Sequence, residues 1–318
     1  MTTIREKSIY TLIVIRDNFV LIALVSAIAV FGLTANHFFT IQNLVNIARQ
    51  TAIISIIACG MTYCIISANI DLSVGSVLAL AGLITALVIQ ATGSIILGVT
   101  ISLSAGAFIG YLNGVLTTKG NIPSFLTTLG MMGIVRGIAM IITKTRPVVI
   151  YKELYWKAFG DFDIWGVLPM PVVWTIIVVL TTHIFLKYTT FGRQIYAVGG
   201  NFVAAQYTGI KTDRVIITVF IITSTLSAFA GVILSSKMHT ARPNIAEMTV
   251  MDVVAAVILG GTSLFGGKGT IMGTLLGALV IGTINNGLIM LGHSTYIQMV
   301  VRSSVIILAV LFSSRDKE

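Results

Sequence analysis

Side chains able to do covalent or metal chemistry do not assemble anywhere in this sequence. His37, His183, His239 and His293 are scattered, and none stands at metal-ligand spacing from a cysteine or carboxylate. Cys59 and Cys64 lie five apart in one apolar run, on different faces of a helix, which indicates neither a disulfide framework nor a metal site. The run from Gly260 to Thr270 (GGTSLFGGKGT) resembles a phosphate loop, but the pattern GxxxxGKS/T does not fit. The residue five before Gly267 is Thr262, and Gly269 follows Lys268, so the run reads as a tight turn between spans. Asp71 and Asp252 lie at the ends of apolar runs, and Arg136 and Arg302 lie inside or near others. Ionisable groups at membrane depth are costly and often functional. For the two aspartates the competing reading is helix N-capping, where a carboxylate accepts backbone N–H bonds at the positive end of the dipole. No catalytic constellation is present, so the chain is expected not to be an enzyme and to bind no cofactor or metal of its own.

The elements that hold these residues are apolar. Hydrophobic residues make up 56% of the 318, and charged residues only 10%. Soluble domains carry about 25% charged residues, so this is an integral membrane protein. The net charge of +9 sits in loops and tails beside apolar runs, as the positive-inside rule and anionic lipids require, and does not indicate nucleic-acid binding. Arg5, Lys7 and Arg16 precede the first apolar run without a small-residue cleavage site, which reads as a retained span.

A spanning helix needs about 20 mostly apolar residues. That ruler gives an all-α polytopic protein of about ten transmembrane helices in one transmembrane domain over 1–318. The runs centre on Val20–Leu33, Ala52–Ser67, Val74–Ile89, Ile95–Thr117, Phe125–Ile142, Val172–Leu186, Val215–Ser235, Val253–Leu264, Ile271–Leu291 and Ile297–Phe312. The eighth is short for a span. With both termini inside, Lys119, Lys187, Arg193, Lys211, Arg214 and Lys268 fall on the inner side, and Lys144, Arg146, Lys152, Lys157 and Arg242 on the outer. Gly106, Gly110 and Gly114, and again Gly273 and Gly277, recur every four residues, a spacing that lets membrane helices approach closely.

One polar island interrupts these runs, at 188–214. It carries Gly192, Arg193, Gly199, Gly200, Asn201, Phe202, Ala204, Ala205, Tyr207 and Gly209. Phe202 to Tyr207 could form a short helix bracketed by the Gly199-Gly200 pair, expected to set a backbone turn with φ > 0, and by Gly209. Such a helix outside the bilayer reads either as a docking surface for a soluble partner or as an ordinary connection. On the outer side, Thr143–Pro171 carries Trp156, Lys157 and Trp165, and reads as an interfacial aromatic belt or as an amphipathic helix that meets an external partner. A second outer loop holds His239, Arg242 and Glu247.

An internal echo links two helix pairs. Asp71-Leu72-Ser73-Val74 opens one, which ends near Asn113; Asp252-Val253-Val254 opens another, which contains Asn285. In the span count the first pair starts inside and the second outside, the arrangement of an inverted repeat. Such repeats place transport pathways at their interface, which makes Asp71, Ser73, Asn113, Asp252 and Asn285 candidates for the path.

Four motifs in order resemble the membrane permeases of bacterial sugar ABC importers of the ribose, xylose, galactose and autoinducer-2 class. They are IDLSVGS at 70–76, PSFLTTLG at 123–130 with Arg136-Gly137, the island from Gly192-Arg193 to Gly209-Ile210, and AAVILGGTSL at 255–264 with GGKG at 266–269. The resemblance covers nearly the whole chain. It implies a ten-span helical permease of the bacterial inner membrane that pairs with a second permease subunit, identical or paralogous. It also implies a cytoplasmic ABC ATPase, which uses ATP and Mg, and a periplasmic sugar-binding protein. In that family the island is the cytoplasmic coupling loop. The chain departs from the pattern at Ala68-Asn69, where the family usually has Gly-Gly, and at Phe202 and Val250, where it has acids. Those two changes remove the ground for charge pairing at the ATPase and in the outer half of the path. The leading reading is a permease subunit that moves a monosaccharide inward by alternating access. The other is a stand-alone secondary transporter or channel, for which Asp71 and Asp252 are the available membrane carboxylates.

Overall fold

The computed structural model describes residues 19–245 and 249–314. Each apolar run found in the sequence falls on a helix: α1 (Phe19–Thr34), α2 (Ile41–Ile66), α3 (Val74–Thr92), α4 (Ile95–Thr118), α5 (Ser124–Thr143), α7 (Met170–Tyr188), α10 (Thr212–Lys237), α11 (Thr249–Leu259), α12 (Ile271–Met290) and α13 (Thr295–Ser314). Three short helices lie between them: α6 (Glu153–Phe159), α8 (Thr190–Gly200) and α9 (Phe202–Tyr207). Among the described residues, seven helices are long and apolar enough to cross a bilayer: α2, α3, α4, α5, α7, α10 and α12. α1 and α11 are apolar but shorter.

Two boundaries differ from the expected ones. α2 begins at Ile41, well before Ala52, because Thr40 accepts from the Asn43 N–H and starts the helix early. The run expected at Val253–Leu264 stops at Leu259, where Gly260 and Gly261 end α11 and Gly261 takes φ +82°. Arg5, Lys7, Arg16 and Glu247 lie outside the described residues, as does the side chain of Arg302.

α2 is the centre of the bundle, buried without interruption from Thr51 to Ser67. The glycine stripe on α4 faces α10. A Cβ on Gly106 would lie 2.6 Å from the Ala228 Cβ, and one on Gly110 would sit on the Phe220 carbonyl. The stripe on α12 does the same against α11, Gly277 meeting the Ala256 carbonyl. Both stripes therefore serve close backbone approach, as their spacing indicated.

The connections gather at two ends. One end holds α8, α9, the turn at 260–270 and the end of α2. At the other, β1 (Val148–Val149) pairs antiparallel with β4 (Thr240–Ala241), and β2 (Asp163–Ile164) with β3 (Leu168–Pro169). α6 caps this end. Its Tyr155 is buried and donates to the Val232 carbonyl at 2.7 Å, while Arg49 pairs with Asp163 and Trp156 stacks on His239 at 4.0 Å. Thr143–Pro171 is thus an ordered cap with an amphipathic helix in it.

A candidate translocation and coupling site

α2 and α3 follow one another in sequence, and the chain between them breaks from helix over 67–73. Ser67, Ala68 and Asn69 fold back on the last turn of α2, with the Ala68 N–H donating to Ile65 and the Asn69 N–H to Cys64, and Ala68 takes φ +60°. The break carries Asp71 into the bundle with no exposure. One carboxylate oxygen of Asp71 accepts from the Ser73 N–H at 2.9 Å and from Ser73 Oγ at 2.6 Å. Ser224 Oγ of α10 donates to the other at 3.3 Å, and Asn113 Nδ2 of α4 donates to Ser73 Oγ at 3.0 Å. Four side chains from three separate parts of the chain thus form one buried polar cluster. Ser224 lies twelve residues beyond Thr212, about 18 Å along the axis at roughly 1.5 Å per residue, so the cluster sits well inside the bundle. Irregular backbone at such depth is tolerated where it is buried in protein or lines a cavity.

The capping reading and the functional reading of Asp71 meet here. Its carboxylate fixes Ser73, the residue just before α3, yet the Oδ1 of Asn113 beside it is buried without a hydrogen-bond partner. An unsatisfied buried acceptor costs free energy unless something donates to it. Asp252, in the first turn of α11, is also buried, and Asn285 lies on α12, which packs directly on α11; the Asn285 Oδ1 is likewise buried without a partner. Asp71, Ser73 and Asn113 are therefore brought to hydrogen-bonding distance, whereas Asp252 and Asn285 share a packed helix pair. Sequence reasoning missed Ser224, which stands in the polar triplet Thr223-Ser224-Thr225 of an otherwise apolar helix.

The polar island folds as two helices. Asn201 ends α8 and caps α9, its Oδ1 accepting from the Ala204 N–H at 2.9 Å. α9 runs over Phe202–Tyr207, as its residues suggested, and Gly209 follows at φ +84°. Ala205 is buried and fixes α9 to the bundle, while Phe202, Val203 and Tyr207 are 43%, 57% and 88% exposed. Arg193 and Ala204 are exposed as well. Gly192 is buried, where a Cβ would overlap the Leu186 carbonyl.

Gly199 and Gly200 correct the sequence reading. They form no turn and neither has positive φ; both belong to the last turn of α8. Gly199 is required instead by close approach, because a Cβ there would overlap the Ile66 carbonyl at the end of α2. Gly200 has open space at its Cβ position. The glycine-rich turn at 260–270 closes on the same spot. The Gly267 N–H donates to the Ile66 carbonyl at 2.9 Å, and a Cβ on Gly266 would lie 2.5 Å from the Gly199 carbonyl. Tyr196 Oη donates to the Gly269 carbonyl at 2.7 Å. Burial pushes the Tyr196 phenol above its ordinary value, so it holds its proton and donates.

A helical bundle with a buried polar break between two of its helices and an exposed apolar helix at one end has the frame of a multi-pass membrane protein. Residues 43–310 match the family described as branched-chain amino acid transport system / permease component, and the chain belongs to that family. It is 41% identical to the ribose import permease of Escherichia coli over 317 residues, 99% of each chain. It is 40% identical to the ribose import permease of Bacillus subtilis, covering 86% of this chain and 85% of that one. With the L-arabinose ABC transporter permease of Azospirillum brasilense it shares 35% identity, over 93% of this chain and 87% of the other. Within its family it is thus a permease of the sugar ABC importer kind. No solved structure matches the chain.

Proposed function

We infer that this chain moves a pentose or similar monosaccharide inward across the bacterial inner membrane, by alternating access, as one of two permease subunits. Ten spans with both termini cytoplasmic would place α8, α9 and the turn at 260–270 inside and the α6 cap outside. The segment 188–214 is then the coupling loop. Gly192, Arg193, Gly199, Gly200, Asn201, Phe202, Ala204, Ala205, Tyr207 and Gly209 form or position the surface on which an ABC ATPase docks. That partner, not this chain, binds ATP and Mg. A periplasmic sugar-binding protein delivers substrate to the outer cap. Asp71, Ser73, Asn113, Asp252 and Asn285 line the path, where free acceptors such as Asn113 Oδ1 suit sugar hydroxyls.

The observation that carries this reading is α9, which is fixed by a buried Ala205 yet leaves Phe202, Val203 and Tyr207 facing outward. Exposed aromatic side chains on a rigid helix make effective interface anchors. The test is affinity capture of the tagged chain from its own cells, with uptake of radiolabelled D-ribose and L-arabinose by those cells and by a deletion strain. Capture of an ATPase with Walker motifs, and loss of uptake on deletion, are expected. Uptake by vesicles holding this chain alone would identify a secondary transporter and overturn the reading.

A further inference from the structure

We propose that the turn at 260–270 is the receiver of the coupling movement, and that Tyr196 is the positioning residue that links it to α8. This rests on the reading of 188–214 as the coupling loop. Three segments meet at one carbonyl. The Ile66 oxygen is a helix-end acceptor without an intrahelical donor. It is taken by the Gly267 N–H at 2.9 Å and covered by Gly199 so closely that no Cβ fits between them. Gly267 presses on the end of α8 in turn, where a Cβ on it would lie 2.9 Å from the Gly200 Cα. The Tyr196 hydroxyl spans one turn of α8 and closes the junction on the Gly269 carbonyl.

What lies on either side of this junction gives it a direction. On one side, Ile66 stands five residues before Asp71, so a displacement of the α2 end is delivered to the buried polar cluster through 67–70. On the other, the turn is continuous with α11 and α12. The Thr262 N–H donates to the Val257 carbonyl at 3.2 Å, and Thr270 caps α12 by accepting from the Gly273 N–H at 3.0 Å. Gly260 and Gly277 hold these two helices in backbone contact. A shift of α8 is thus passed at once to the Asp71 break and to the pair carrying Asp252 and Asn285. The turn is tied to the α2 end by the Gly267 bond; between α8 and the turn there is packing, which transmits a push, and the Tyr196 bond, which transmits a pull.

The test uses the permease reconstituted with the ATPase and binding protein it assembles with, comparing the parent with Tyr196→Phe. ATP hydrolysed per sugar delivered is measured with radiolabelled D-ribose, beside melting temperature and ATPase content. With assembly and melting unchanged, the ratio is expected to rise by about two- to tenfold, the range that one lost hydrogen bond spans. A second measurement places cysteine at the exposed Lys268; the native Cys59 and Cys64 are buried. Reactivity of Lys268→Cys toward a polar maleimide should differ between resting and ATP-bound states, and Tyr196→Phe should abolish that difference. A parental ratio with parental state dependence overturns the proposal, as does a joint fall of uptake, hydrolysis and melting temperature, which marks a structural role only. A parent that captures no ATPase fails the functional reading itself, before either variant is compared.

Discussion

At the scale of single residues, the buried cluster and the glycine contacts make separate demands. Ser224→Ala removes the donor to one Asp71 oxygen. The bond is long at 3.3 Å, so a loss of about 1 kcal/mol in stability is expected, at the lower end for an acceptor left unsatisfied. Denaturant unfolding in detergent would measure it, and an unchanged midpoint would show that the hydroxyl contributes nothing. Gly199→Ala and Gly200→Ala should part company. The first must push the α2 end and α8 apart, a strain of about 1–3 kcal/mol by the measure of overpacked cores, whereas the second meets open space. Equal melting temperatures for the two variants would refute the close-approach account. The internal echo pointed to Asp71, Ser73 and Asn113 as candidates. It did not point to Ser224 or to Tyr196. A bond from Ser224 spans 153 residues, and one from Tyr196 to a backbone carbonyl leaves no mark on the type of residue it reaches.

At the scale of elements, apolar run length located the helices well. It could not give their use, because α2 and α11 owe their bounds to Thr40 and Gly260, local signals outside the runs. The short α9 was legible because the Gly199-Gly200 pair and Gly209 bracket Phe202–Tyr207, although the residue that caps it is Asn201. α8 was not, because it is polar and glycine-containing, and its stability comes from docking Ile195, Val198 and Gly199 into the bundle. Truncating Phe202 or Tyr207 to alanine should cost about 2 kcal/mol or more each in ATPase association, as interface aromatics do. Co-purification titrated against salt would read this, and undiminished capture would make α9 a mere connection. Along α3 and α11 the buried faces are nearly complete, with Ser76 and Val254 half-buried among them. Cysteines at those two positions should react with a polar thiol reagent and change between ATP-bound and resting states. Cysteines at Val77 and Val257 should stay silent; uniform labelling would mean that these helices face static core or lipid.

At the scale of the molecule, one chain offers one α8–α9 surface, so an ATPase with two nucleotide sites calls for two permease chains. Native mass spectrometry of the captured complex should find two, and a single chain per ATPase pair would contradict the arrangement. On the proposed orientation, the opposite end is where a binding protein would deliver sugar. Arg242 is exposed there, while Lys157 already pairs with Glu153 at 2.6 Å and holds that carboxyl below its ordinary range. Reversing Arg242 should therefore weaken docking of the binding protein more cleanly than reversing Lys157. The effect should shrink as salt rises, since exposed charges are screened over about 8–10 Å at physiological ionic strength. Docking that ignores both the charge and the salt would leave the α6 cap as an aromatic belt only.

The contact of Gly199 with Ile66 also bears on how such a chain can change over generations. Every other amino acid carries a Cβ, and here the space for it is already filled by a main-chain oxygen that no rotamer change can clear. Any single codon step away from glycine at 199 brings a side chain that strains this contact, and relieving the strain means moving a helix rather than trimming a neighbour. The exposed outward face of α9 is free to vary with whatever it meets, while the helix end beside it is held near one letter of the alphabet.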